Sequence, residues 1–457
     1  MLSNFNEQQP IRMATYSQDG LGLGHMRRTH SIVGRFLQDN ADSSVLTLSD
    51  SQLGQFFTPT PNHDYLKLPS IVKDGPGQWR ASNLNMPFPV VSMLRQELIS
   101  QTLLTFRPHI LLVDHMPHGA MGELLPALTA LREQNVGTKI VLGLRDILDA
   151  PAVVRSRWQV EGAYDAVEEF YDCVLIYGMQ EVFDMAQAYD FSPSMARRLR
   201  YCGYVCAPQD TTPQSAANVQ TLRSHFLADA DADAKLVVAM AGGGADAYPL
   251  MSTLLDTLTT VQQQQPTVYV LITGPFMPAH QRQDLQQRAE DLRAQNLRLH
   301  VLTSMNDTYS YLQAADLVVA MAGYNTTVEI LQTGRRAILV PRRGPSAEQR
   351  TRTRLFANRG WIDTLDPDDL SIDNLAMLVK RNLQLGTNVV APTQPNLNGR
   401  QAAAQWLFAL ASTPGVAGHR HAADAQDATV TFDEPQTEII FAEENYSATE
   451  ERIYELA

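Results

Sequence analysis

The stretch YSQDGLGLGHMRRTHSIVGRFL, residues 16–37, reads as the end of a strand and the start of a helix, joined through Gly20, Gly22 and Gly24. Glycines after a strand let the backbone turn sharply and come close to a ligand. A helix beginning near Met26 presents free N–H groups at its start, which suits an anion or a crowded sugar. The same spacing also occurs where a strand merely packs tightly on a helix. His25 stands at the junction, where a histidine can take or deliver a proton near neutral pH. Holding the loop by a hydrogen bond is its structural alternative.

The rest of the chain repeats this strand-then-helix rhythm. IRMATYS, SVLTLSD, HILLVDH, TKIVLGLRD and CVLIYG are short apolar runs separated by helical segments such as MGELLPALTALREQ. After a link rich in Pro, Gln, Ser and Thr around 207–217 the rhythm restarts with KLVVAMAGGG, TVYVLITG, LRLHVLT, DLVVAMAG and RAILVPR. Such alternation predicts α/β architecture with two doubly wound, Rossmann-like parallel sheets. The expected parts are a disordered 1–10, domains over 11–207 and 216–398, a helix over 399–412 and a tail over 413–457. No solenoid repeat is present.

Composition bounds the function. The chain has 457 residues, 44% of them hydrophobic, enough for two cores because single cores stop growing near about 250–300 residues. No run of about 18 apolar residues and no signal peptide is visible, so a cytoplasmic protein is expected. Cys173, Cys202 and Cys206 complete neither a disulfide framework nor a zinc site and read as core thiols. Of the net charge of −13, −8 lies in the tail, where ten acids oppose Arg420 and Arg452. The body is still acidic, which argues against nucleic acid as a partner and against anionic lipid bound by bulk charge. The tail has few large apolar residues and no helical period, as in disordered segments.

The second domain carries two more glycine devices. AMAGGGADAYPL places Gly242, Gly243 and Gly244 directly after a strand, and MAGYNTTVEIL places Gly323 after another, with Asn325, Thr326 and Thr327 at a helix start. Two such helix starts aimed at one crevice suit a diphosphate. Neither string is GxxxxGK[ST], and the first domain lacks the Rossmann glycine spacing with its acid, so a P-loop and a dehydrogenase are both disfavoured. From the first turns of its helix, Glu329 can accept two hydrogen bonds from a ribose diol. An exposed helix acid is the plainer reading. Arg342, Arg343, Arg350, Arg352 and Arg354 crowd around Glu348 and Gln349, either attracting phosphate or forming a solvated helix face.

Taken in order, GLGLGHMRR, LLVDHMPHG, GLRDILD, YCGYV, AGGGADAYPL, LITGPFMP, MAGYNTTVEIL and a Pro followed by Glu-Gln resemble a known family. They are similar to the GT-B glycosyltransferases of the family 28 kind. These are related to the peptidoglycan lipid-intermediate N-acetylglucosaminyltransferase, and the chain resembles most closely a bacterial group of predicted glycosyltransferases. The likeness spans 11 to about 385. It implies that Gly22, Gly24 and His25 face the acceptor, with Arg27 beside them. Gly243 and Gly244 approach the diphosphate, and Gly323, Asn325 and Thr326 bind it. Glu329 grips the ribose, Glu348 with Gln349 reads the donor sugar, and the Met305 backbone meets the base. Leu21 and Leu23 depart from the GGxGGH of the relatives. Asp114, His115, Arg145 and Asp146 belong to the closer group and stand at strand ends.

The chemistry implied is attack of an acceptor hydroxyl on a nucleotide sugar, UDP-linked and carrying a hexose or N-acetylhexosamine. His25 is the first candidate base, with Asp114, His115 and Asp146 as reserves. No DxD pair follows a strand, so neither metal nor cofactor is expected, and inversion is the family expectation. The acceptor is a glycan, a lipid-linked or a small molecule. Asn83–Leu94, beside Trp79 and Arg80, reads as an apolar loop over the first domain's cleft, or as a peripheral contact with the inner face of the plasma membrane. Two rivals stay open: a nucleotide-sugar 2-epimerase and a non-catalytic nucleotide-sugar-binding protein.

Overall fold

The computed structural model describes residues 10–18, 24–51, 61–75, 78–134, 137–208, 212–305 and 307–413. The expected disorder at 1–10 and 413–457 therefore falls almost wholly outside the described residues, as do Gly20 and Gly22. Strands β1 (Arg12–Ser17), β2 (Ser44–Ser49), β3 (His63–Lys67), β6 (Ile110–Asp114), β7 (Lys139–Arg145), β8 (Cys173–Tyr177) and β9 (Leu199–Tyr201) form one sheet. Its order is β3-β2-β1-β6-β7-β8-β9, and every pairing is parallel. A small antiparallel hairpin, β4 (Ile71–Gly75) with β5 (Gln78–Ala81), stands apart from it.

The second sheet holds β10 (Lys235–Met240), β11 (Thr267–Ile272), β12 (Leu299–Leu302), β13 (Leu317–Met321), β14 (Ala337–Val340) and β15 (Asp363–Thr364). They are all parallel, in the order β12-β11-β10-β13-β14-β15. Both sheets are doubly wound, as the alternation requires. Their central strands are apolar without interruption because helices cover both faces: β6, β8, β11 and β13 are buried along their whole length.

The order of each sheet reverses once, between β1 and β6 and between β10 and β13. Ligands of open α/β sheets bind at such switch points, at the carboxyl ends of the strands. Gly24 lies beyond β1 and Gly242–Gly244 follow β10, so both stand where a ligand-binding crevice is expected.

One apolar cluster runs from the Ile32, Val33 and Phe36 face of the helix Gly24–Asp39, through Cys202 and Cys206, to Leu236 and Val238 in the second sheet. The three cysteines are buried free thiols, and burial pushes those of Cys202 and Cys206 up to about 12. The helix Gly399–Ser412 joins the same cluster through Ala403, Ala404 and Leu407 and packs along the helix Gly24–Asp39, not on the second sheet that precedes it. Its entry is tight. The Tyr204 N–H donates to the Asn396 carbonyl at 2.7 Å, Gly203 has φ 84°, and a Cβ there would come within 2.6 Å of Asn396.

Asn83–Leu94 is not one loop. A helix, Phe88–Phe106, begins inside it with a proline in its first turn. Proline is favoured at that position because its missing N–H is one of the donors a helix start leaves unpaired. Leu84, Met86, Val90, Met93 and Leu94 are exposed, while Val91 packs with Ile71, Ala120 and Trp79.

Candidate active site

The helix Gly24–Asp39 carries His25 and Arg28 on one face, because residues three apart on a helix are neighbours. Both meet Asp114, the last residue of β6. His25 Nδ1 donates to Asp114 Oδ2 in a short hydrogen bond, and Arg28 Nη2 donates to both carboxylate oxygens at 2.8 Å. Burial alone would raise the Asp114 carboxyl, but Arg28 and then His25 outweigh it and hold it far below the ordinary carboxylate range. Asp114 is therefore an ionised orienting group, not a reserve base. With Nδ1 protonated toward Asp114, the proton-accepting atom of His25 is Nε2.

His115 follows in the left-handed region, at φ 70°, a conformation that costs a non-glycine residue energy and recurs at functional sites. Its N–H donates to the Gly143 carbonyl at 2.9 Å, and its ring lies 5.1 Å from that of His25. Burial, with Arg145 alongside, keeps the His115 imidazole neutral, its pKa well below the ordinary value. Its Nδ1 is buried without a hydrogen-bond partner.

The second domain meets this group directly. Asn325 Nδ2 donates to the Gly24 carbonyl at 3.3 Å, and a Cβ on Gly242 would stand 3.6 Å from Thr326 Oγ1. The loop after β10, the helix Tyr324–Thr333 after β13 and the start of the helix Gly24–Asp39 thus converge. Gly323 precedes the helix Tyr324–Thr333 with no side-chain cap, so its first-turn N–H groups remain open to a ligand. Gly244 has φ 93°, and a Cβ on it would collide with the Thr273 carbonyl. Gly243 accepts from the Phe276 N–H at 2.8 Å. Met305, beyond β12, is partly buried against the core.

Glu329 makes no side-chain hydrogen bond among the described residues, although its side chain is only 14% exposed. Arg27, half exposed, faces it at 3.7 Å. Burial raises the Glu329 carboxyl above its ordinary value, with Arg27 opposing. A buried carboxylate with unused acceptor capacity is costly unless something binds it.

Two further expectations are corrected. Asp146 is not a spare base: Arg352 grips it through two bonds, at 2.7 and 2.8 Å, both partners being buried. Glu348 does not open onto the crevice. One of its oxygens accepts from Arg352 at 2.9 Å and the other pairs with Arg145 at 2.8 Å. Burial would raise its carboxyl, yet Arg145 and Arg352 hold it below the ordinary value. Gln349 Oε1 accepts from the Arg342 N–H at 3.0 Å. Asp146 and Arg145 belong to the first domain, Glu348 and Arg352 to the second, so these four residues clamp the domains together.

Tyr324 lies between the two ionic groups. Its ring has the Arg28 guanidinium at 5.6 Å and that of Arg352 at 5.5 Å. Its hydroxyl donates to the Tyr177 carbonyl at 2.9 Å and accepts from the Val205 N–H at 3.1 Å. Arg28 and Tyr324 were not singled out by sequence, and Arg352 stood there only as one of five crowded arginines, with no partner assigned to it. The spacings His25 to Arg28 and Glu348 to Arg352, three and four residues on helices, are the signal that would have found the two arginines.

Residues 237–405 match the glycosyltransferase family 28 C-terminal domain. Among solved structures, MurG of Acinetobacter baumannii is 16% identical with a TM-score of 0.55, covering 88% of this chain and 100% of its own. A UGT transferase from Siraitia grosvenorii in complex with UDP is 12% identical with a TM-score of 0.52, over 87% and 99%. A putative UDP-N-acetylglucosamine 2-epimerase from Listeria monocytogenes is 14% identical with a TM-score of 0.51, over 87% and 91%. No curated protein matches by sequence. The fold is GT-B, two such domains facing across a cleft. The second domain thus carries the family 28 C-terminal domain on a chain whose whole fold is similar to that of GT-B glycosyltransferases.

Proposed function

We propose that the protein moves a hexosyl group from a nucleotide sugar, UDP-linked, to an acceptor hydroxyl, with inversion, and that His25 is the general base. The observation that carries this reading is the 3.3 Å contact between Asn325 and Gly24, which sets the base-bearing helix start against the helix start suited to a diphosphate. In this reading His25 Nε2 takes the hydroxyl proton as the oxygen attacks the anomeric carbon. Asp114, held by Arg28, fixes the tautomer and stabilises the imidazolium that forms. The bond to the diphosphate breaks, and the N–H groups at the start of the helix Tyr324–Thr333 meet the charge that develops, so the reading calls for no metal ion. Glu329 takes the ribose diol with its unused carboxylate oxygens.

Asp146 and Glu348 act in this reading as the clamp that fixes the cleft, and the donor sugar is read by other groups. The exposed Leu84, Met86 and Met93 support an acceptor with an apolar portion, lipid-linked or at a membrane face. Among the described residues no helix is long and apolar enough to cross a membrane.

The test is a thermal-shift panel of UDP, GDP, dTDP and CDP sugars, followed by product analysis with and without acceptors. Stabilisation by a UDP sugar, with product only when an acceptor is present, is expected. Conversion of the donor alone would make the protein an epimerase, and binding without any turnover would make it a binding protein.

A further inference from the structure

The arginines that line the cleft differ in one respect. Arg27 faces Glu329, Arg28 faces Asp114, Arg145 faces Glu348, and Arg352 faces both Asp146 and Glu348. Arg342, just beyond the end of β14, has no carboxylate partner among the described residues, and its Nε is buried without an acceptor. Only its backbone N–H is engaged, by Gln349. Glu348 lies close enough to feel the Arg342 charge, but both oxygens of Glu348 are already taken by Arg145 and Arg352.

Two further atoms, one on the arginine that pairs with Glu348 and one on the histidine beside that arginine, are in the same condition. Arg145 Nε and His115 Nδ1 are buried without partners. Five guanidiniums thus face four carboxylates, and one positive charge is left over at the β14 end of the cleft. Solvent can satisfy the outer nitrogens of Arg342, but not a buried Nε–H.

The order of the second sheet gives this place a meaning. Along its carboxyl edge come the glycine loop after β10, the helix start after β13, and then Arg342 after β14. A diphosphate seated between β10 and β13 puts its distal phosphate, or the sugar beyond it, against Arg342. From the other domain Arg145 reaches Glu348 at 2.8 Å, and Glu348 in turn feels the Arg342 charge.

We propose that Arg342, assisted by Arg145 and His115, binds an oxyanion of the substrate at the β14 end of the cleft. The oxyanion is either the carboxylate of a hexuronosyl group or the distal phosphate of the leaving nucleoside diphosphate. A guanidinium fork suits both, since each offers two oxygens in one plane. This rests on the nucleotide-sugar reading for its placement, while the surplus charge stands without it.

Calorimetric titration of the full chain and of Arg342→Gln tests it. The probes are UDP, UDP-glucose and UDP-glucuronate, with inorganic pyrophosphate and free glucuronate as base-free controls. A loss of about ten- to hundredfold in affinity is expected in the variant, with its melting temperature checked against the parent. If the loss covers UDP, UDP-glucose and pyrophosphate alike, the oxyanion is the phosphate. If it is confined to UDP-glucuronate and glucuronate, it is a carboxylate on the sugar. Unchanged binding of every probe, or no binding of any probe to the folded parent, overturns the proposal. Pyrophosphate or glucuronate bound through Arg342 while no nucleotide binds would keep the oxyanion site and remove the nucleotide-sugar reading; binding of UDP, UDP-glucose and UDP-glucuronate all equally unaffected by Arg342→Gln would do the reverse.

Discussion

His25, Asp114 and Arg28 form one unit in which each residue limits the next, and the consequences of altering them differ. His25→Ala removes the proton acceptor, so turnover should fall by about a hundred- to ten-thousandfold, with donor affinity unchanged by calorimetry. Glu329→Gln should act the other way: donor affinity falls about tenfold or more as the charged acceptor is lost, while turnover at saturating donor falls less. Two histidines, His63 and His115, add a pH dependence of stability. Burial lowers the pKa of His115, and burial with His30 lowers that of His63 from 6.5 to about 4. Because these folded-state values lie below the unfolded one, the unfolded chain binds protons first on acidification. Stability is therefore full above pH 6.5 and is lost below it, by up to about 1.4 kcal/mol per pH unit for each group. Urea unfolding midpoints between pH 7 and pH 5 check the sign, and a midpoint that rises on acidification would refute it.

Each glycine loop works because of the strand before it. In the loop after β10, Gly244 combines a positive φ with a site that has no room for a Cβ. Gly244→Ala should cost at least about 1–3 kcal/mol and weaken donor binding, as denaturant unfolding and calorimetry would show. The strands that such loops follow were plain in the sequence, since a parallel strand covered on both faces is an unbroken apolar run, as in ILLVD and LVVAM. The elements that were not legible lack that signature. β3, HDYLK, lies at a sheet edge and is largely polar. β9 and β15 are only 3 and 2 residues long. The helix Phe88–Phe106 was hidden by Pro87 and Pro89, which mark a loop equally well until the helix is seen to start on them. The candidate site was legible where a backbone feature announced it, as at Gly24 and Gly323. It was illegible where a role depends on a partner far along the chain. Nothing local tells that Glu348 is paired with Arg145 and Arg352 and so closed to a sugar.

The molecule is held as one body by groups that meet across the cleft. Arg352→Met would leave Asp146 buried and without its cation, which costs about 3–5 kcal/mol. Urea unfolding should show that loss, and a variant as stable as the parent would remove Asp146 and Arg352 from the clamp. The Tyr324 hydroxyl and the Asn325 amide add uncharged links beside it. The return of the helix Gly399–Ser412 to the first domain has its consequence during synthesis. A nascent chain that has emerged only as far as residue 207 already contains every strand of the first sheet, yet the groove along its first helix stays bare. That groove closes only after another two hundred residues have left the ribosome. The sheet of the early half is thus complete in the nascent chain before the helix that covers its first helix has been made.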